Sequence, residues 1–290
     1  MRSWLFVPGD SERKLVKARA CGADVLVLDL EDSVATDRKA TARRLVRSFI
    51  ATEAARTDRP RLYVRINPLT SEAWQADVEA VMSAAPDGIM LPKSRSGGDV
   101  QRLALALSHA EEVLGAKDGA TRILAIATEV AISLLNMASY VEASTRLIGL
   151  TWGAEDLSAE VGASGVREGD GRYTSPFQMA RDLTLFTAVA ARVEPIDTVF
   201  VNFRDDRGLG EECARGARDG FTGKMAIHPG QVGEINRAFT PDAGAIARAR
   251  AIVKLFADAP DAGVLSLDGE MLDRPHLLKA QRLLARAGRS

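Results

Sequence analysis

Glu129 and Asp156 are the two residues best placed to do chemistry together. Each lies just beyond a short apolar run, Ile123–Thr128 for the first and Leu147–Thr151 for the second. If these runs are neighbouring parallel strands, both carboxylates project from the same strand ends into one space. Two carboxylates in one space repel unless a cation lies between them or one keeps a proton. A small carboxylate set that leaves water positions open suits Mg²⁺. His109, His228 and His276 are scattered and make no zinc-type set. An acid at the start of a helix is also favoured by the helix dipole, so the spacing leaves metal ligation and helix capping both open for Glu129.

Arg65 sits inside the apolar run Leu62–Ile66. A guanidinium there is costly unless it reaches a carboxylate or a ligand at the strand end. Asp29, Glu31 and Asp32 close the preceding run and could satisfy it as a structural ion-pair network. The same planar fork suits a substrate carboxylate or a developing enolate oxygen. Lys93, after Gly88–Leu91, is a further candidate for holding an anionic ligand, although a solvated lysine is the simpler expectation. His228 reads as a turn residue bonded to backbone, and Arg2 with Ser3 as a weak phosphate candidate. Asp273 precedes Pro275 and reads as the N-cap of a last helix.

Eight short apolar runs position these groups: Trp4–Val7, Val25–Leu30, Leu62–Ile66, Gly88–Leu91, Ile123–Thr128, Leu147–Thr151, Thr198–Val201 and Lys224–Ile227. Segments of helical spacing separate them, among them Asp37–Arg56, Val130–Glu142 and Pro176–Val193. Runs apolar on both faces, such as VLVL and ILAIA, belong in a parallel sheet covered by helices. Eight alternating units predict an α/β fold, a (β/α)₈ TIM barrel, over residues 1–240. No GxGxxG or GxxxxGK[ST] follows any run, which lowers the dinucleotide and P-loop readings. Ser158–Thr174 reads as a long glycine-containing substrate loop. Residues 241–290 read as a C-terminal helical extension: a helix at Asp242–Phe256, a turn-rich stretch at Ala257–Gly269 and a helix at Pro275–Ala287.

Composition narrows the class. A net charge of −1 offers no global field for nucleic acid or an anionic membrane, so neither is expected as a partner. Cys21 and Cys213 form no metal or disulfide pattern and read as small buried hydrophobes. No apolar run approaches a membrane span, and the N-terminal run is cut by Pro8-Gly9, so a soluble cytoplasmic protein is expected.

Taken in order, the fragments RSWLFVPGDSERKLVKA, GADVLVLDLEDSV with KATAR, YVRINP, GIMLPK, ILAIATEVA, GLTWGAEDLSAEVG, KMAIHPGQV with EINRAF, and DGEMLDRPHLLKA cover almost the whole chain. This ordered set resembles the citrate lyase β-subunit-like branch of the HpcH/HpaI aldolase family, which includes malyl-CoA and citramalyl-CoA lyases. The resemblance implies a Mg²⁺-dependent barrel acting on coenzyme A thioesters. It implies Glu129 and Asp156 as metal ligands, Arg65 as the active-site arginine, and Asp29 to Asp32 lining the site, with Glu31 and Asp32 behind the residues that touch the substrate; Lys93 is a substrate-binding candidate by its place after the fourth run. It also implies a homotrimer or a dimer of trimers, with Asp273 reaching the active site of a neighbouring subunit. The reaction implied is reversible cleavage of a 3-hydroxyacyl-CoA into an acyl-CoA and a 2-oxo acid, with thioester hydrolysis or a CoA- or acyl-carrier-binding subunit as alternatives. One departure is visible. Where the family has Glu followed by Thr or Ser, this chain has Glu129-Val130.

Overall fold

In the computed structural model, which describes residues 1–288, eight parallel strands close into a barrel in strict sequence order. They are β1 Ser3–Pro8, β2 Val25–Asp29, β3 Arg61–Arg65, β4 Gly88–Leu91, β5 Arg122–Ile126, β6 Leu147–Thr151, β7 Glu194–Asp197 and β8 Gly223–Ala226. The expected (β/α)₈ barrel is what forms. Most strands are apolar on both faces because they separate two cores. The inner core, including Trp4, Val27, Tyr63, Leu124 and Met225, fills the barrel. The outer core packs the strands against the surrounding helices through residues such as Leu26, Val64 and Leu150. No described helix is long and apolar enough to cross a membrane.

Three elements depart from the expected positions. The seventh strand is Glu194–Asp197, four residues before the expected Thr198–Val201. Its sequence, EPID, hides the strand, since Pro and acids are poor strand signals. The strand survives because Asp197 is buried with partners: it accepts a hydrogen bond from Trp152 Nε1 at 2.7 Å and faces Arg181 and Lys224. The expected helix Val130–Glu142 is instead a short α5 (Ala131–Leu135), broken at Asn136 and followed by a 3₁₀ turn at Met137–Tyr140. The GAEDLSAEV segment forms α6 (Ala154–Val161), which shortens the expected substrate loop. α6 stops at Gly162, whose φ of +68° is a left-handed conformation glycine adopts without strain.

Beyond the barrel, α10 (Ala243–Asp258) and α11 (Arg274–Ala287) flank an antiparallel hairpin of β9 (Val264–Leu267) and β10 (Glu270–Asp273). This extension has its own small core around Ala249, Phe256, Leu272 and Ala280. Both expected helices form, and the stretch expected to be only turn-rich contributes this hairpin, so the extension is mixed. The missed signal is Asp268-Gly269 between apolar stretches, where both residues take positive φ as a two-residue hairpin turn requires.

Candidate active site

Register decides the arginine. β2 pairs with β3 so that Asp29 lies beside Arg65. Arg65 donates from Nε to Asp29 Oδ1 and from Nη2 to Oδ2, both at 2.7 Å. Asp29 is oriented in turn by the backbone N–H groups of Glu31 and Ser33. Nη1 of Arg65 lies 2.9 Å from Glu31 Oε2, an ion pair that lacks hydrogen-bond geometry, and the guanidinium carbon stands 4.7 Å over the Phe6 ring. Burial opposes both charges of the pair. The mutual hydrogen bonds and attraction outweigh it, holding Asp29 below the usual carboxylate range and Arg65 above its ordinary value. A forked pair of this kind locks the guanidinium plane. The internal network raised from the sequence is real, and it presents Arg65 to the cavity in one orientation.

Glu129 follows β5 and is almost wholly buried. One of its oxygens, Oε2, accepts the backbone N–H of Lys93 at 2.6 Å. Lys93 makes this bond from a left-handed conformation, φ +48°, which is uncommon for a residue with a side chain. Its side chain turns to the carboxylates: Nζ lies 2.6 Å from Glu31, 3.0 Å from Asp32 and 3.2 Å from Asp156. Burial works against the ammonium, but these acids raise its pKa all the same. Lys93 is thus an integral cation of the acidic cluster, not a solvated side chain. Glu31 is pushed up to about 7, by burial that its two cations only partly offset.

Glu129 and Asp156 converge as expected. Both line a cavity of about 300 Å³ at the carboxyl ends of the strands, together with Asp29 and Arg65. Asp156 stands in the first turn of α6. Glu129 is pushed up to about 8, chiefly by burial and then by the charges of Glu31 and Asp156. Gly153 makes this approach feasible, since a Cβ there would come within 2.6 Å of Glu129 Cγ. Among the described residues no group of three or more His, Cys, Asp or Glu forms a closed metal cage. Two converging carboxylates, one of them short of positive charge, match a cation that keeps several of its own waters, as Mg²⁺ does.

The cavity also contains residues the sequence reading passed over. Phe6, Ile126, Val199 and Met225 extend the inner core upward as its apolar base. Trp152 forms part of the wall and is tethered by Asp197. Thr151 lines it too, and its buried Oγ1 has no hydrogen-bond partner among the described residues. Leaving such a hydroxyl unmatched costs roughly 1–3 kcal/mol. Asp273 is elsewhere: it does not line the cavity, and it begins α11 in a reciprocal cap with His276. His228 is the turn residue expected, accepting the Gly230 N–H at Nδ1. Arg2 is committed to Asp24 at 2.8 Å. Cys213 is buried, whereas Cys21 falls past the end of α1 (Glu12–Ala18) and is half-buried.

A profile described as HpcH/HpaI aldolase/citrate lyase matches residues 2–229, most of the chain. The chain belongs to the HpcH/HpaI aldolase/citrate lyase family. As a member of this lyase family it is an enzyme. The citrate lyase subunit beta of Leuconostoc mesenteroides subsp. cremoris is 33% identical over 285 residues, covering 98% of this chain and 92% of the relative. A (3S)-malyl-CoA thioesterase of Cereibacter sphaeroides is 35% identical over 291 residues, covering 99% of this chain and 94% of the relative. Among solved structures, protein CitE from Mycobacterium tuberculosis in complex with magnesium, acetoacetate and coenzyme A superposes with a TM-score of 0.78 at 32% identity. It covers 99% of this HpcH/HpaI chain and 98% of its own.

Proposed function

We propose that this protein is a Mg²⁺-dependent carbon–carbon lyase that reversibly cleaves a 3-hydroxyacyl-CoA of the malyl-CoA or citramalyl-CoA type. The products are an acyl-CoA and a 2-oxo acid such as glyoxylate or pyruvate. The observation that carries this reading is the convergence of Glu129 and Asp156 on one cavity with a guanidinium locked by Asp29. The magnesium-bound CitE structure, which also holds a small oxo acid and coenzyme A, supports it.

Glu129 and Asp156 would hold the ion, with Lys93 balancing the remaining acidic charge. Bound Mg²⁺ supplies Lewis-acid polarisation of a substrate oxygen. In the cleavage direction the hydroxyl proton passes to solvent, the bond between the α- and β-carbons breaks, and the β-carbon becomes the carbonyl of the 2-oxo acid. The released electron pair passes through the α-carbon onto the thioester oxygen as the enolate, and a proton added at the α-carbon completes the acyl-CoA. Arg65 stands where a fixed cation can stabilise the enolate oxygen, because Asp29 prevents it from swinging away. Asp273 does not reach the cavity of its own chain, so its role as proton donor requires a second subunit, in a homotrimer or dimer of trimers. Glu31 and Asp32 act through Lys93 and Arg65. The reading includes a cytoplasmic setting.

Glu129→Ala and Asp156→Ala should each reduce Mg²⁺-dependent turnover by at least 100-fold while circular dichroism stays unchanged. Full activity in either variant, or in EDTA, would remove the metal assignment. Mass spectrometry of the products separates this reading from thioester hydrolysis, which the thioesterase relatives favour. A lyase releases a 2-oxo acid with an acyl-CoA, and a thioesterase releases free CoA with a hydroxy acid.

A further inference from the structure

Thr151 lines the active cavity, yet nothing in the fold makes use of its hydroxyl. Thr151 ends β6 in register with Ile126 of β5, whose side chain is part of the barrel interior. Its backbone is spent on the sheet: the Thr151 carbonyl accepts the N–H of Ala127 at 2.8 Å. Its Oγ1 is buried and has no partner among the described residues, although the residue lines the cavity. The base around it, Phe6, Ile126, Val199 and Met225, is apolar. Valine would fill the same space without burying an unmatched hydroxyl, so packing alone gives no reason for threonine here.

The other cavity groups narrow what the hydroxyl can meet. Nε and Nη2 of Arg65 are taken by Asp29. Ionised Glu129 and Asp156 accept hydrogen bonds but donate none. An anionic oxygen reaching the cavity therefore meets few free side-chain donors among the described residues, Nη1 of Arg65 and the hydroxyls of Thr151 and Thr198, and of these Thr151 Oγ1 is the one buried without a partner. The nucleotide of a CoA thioester is too large for about 300 Å³ and must leave through the open mouth, so the small acid end lies innermost.

We propose that Thr151 is a substrate-binding and specificity residue, its Oγ1–H donating to a carboxylate oxygen of the 2-oxo acid. This rests on the lyase reading above and adds to it the group that recognises the acid end of the substrate. A hydrogen bond to a charged oxygen predicts a loss of roughly 10- to 100-fold in oxo-acid affinity when the hydroxyl is removed.

The test compares wild type, Thr151→Val and Thr151→Ser with Mg²⁺ present. Pyruvate and glyoxylate binding is read by titration calorimetry, KM and kcat for each acid by condensation with acetyl-CoA, and thermal stability by scanning calorimetry. We expect Thr151→Val to weaken binding of the acid and raise its KM by that factor. The KM for acetyl-CoA and the melting temperature should hold or, for the latter, rise, and Thr151→Ser should restore most of the affinity. If the valine variant binds both acids as wild type does, the assignment of Thr151 is wrong and the lyase reading stands. If it loses stability together with activity, the hydroxyl is structural and the proposal also fails. If wild type itself binds and condenses neither acid, the lyase reading and this inference fall together.

Discussion

At Glu129, burial and two neighbouring carboxylates act in the same direction, pushing its pKa up to about 8 against an ordinary value near 4.5. The sign of the consequence follows. Between those two values the unfolded chain has released this proton while the folded chain keeps it, so the metal-free protein loses stability as pH rises through the window. Glu129→Gln should therefore raise the melting temperature of the metal-free protein at pH 8 by a few degrees, with little effect at pH 4.5. Mg²⁺ requires the ionised form, so binding displaces a proton. Its apparent affinity should rise about tenfold per pH unit below pH 8 and level off above it, as measured by titration calorimetry. A flat profile from pH 6 to 8 would show that the ion does not use this carboxylate.

At the scale of elements, the site depends on how strands end. The β5–β6 pair carries a register shift between Ile123 and Leu124, and beyond β6 Gly153 lets the chain pass against Glu129. Gly153→Ala would place a methyl 2.6 Å from Glu129 Cγ, too close to tolerate without displacement. We expect this single methyl to lower kcat/KM and Mg²⁺ affinity at least tenfold in an enzyme that still folds. Magnesium titration of the variant decides it, and unchanged affinity would show that Glu129 relaxes freely. The same scale explains which elements were legible. Strands of plain apolar residues, such as β2 and β5, announce themselves, whereas β7 consists of Glu194, Pro195, Ile196 and Asp197 and is a strand only because its buried acid finds partners. The Asp268-Gly269 hairpin was readable from its turn chemistry, and its short, half-exposed flanking strands obscured it.

At the scale of the whole molecule, the barrel holds the metal candidates and the arginine, while Asp273 lies in a separately packed extension. If that acid completes the cavity of a neighbouring subunit, mixing Asp273→Ala with Arg65→Ala chains should regain activity that neither has alone, because some cavities receive one intact copy of each. Absence of recovery in mixed assemblies of native size would rule out this arrangement.

The sequence by itself determined the barrel, since repeated apolar runs separated by helical spacing, seven of which are strands, have few other ways to bury both faces. It also determined that Glu129, Asp156 and Arg65 sit at strand ends, because alternation sends the loops after the strands to one rim. It did not decide what those groups meet there. The Asp29 fork comes from the β2–β3 register, the bridging role of Lys93 from a left-handed backbone turn, and the unmatched hydroxyl of Thr151 from an apolar cavity base. Each depends on distances between residues far apart in the chain. Local pattern does not encode those distances, and only closure of the barrel sets them.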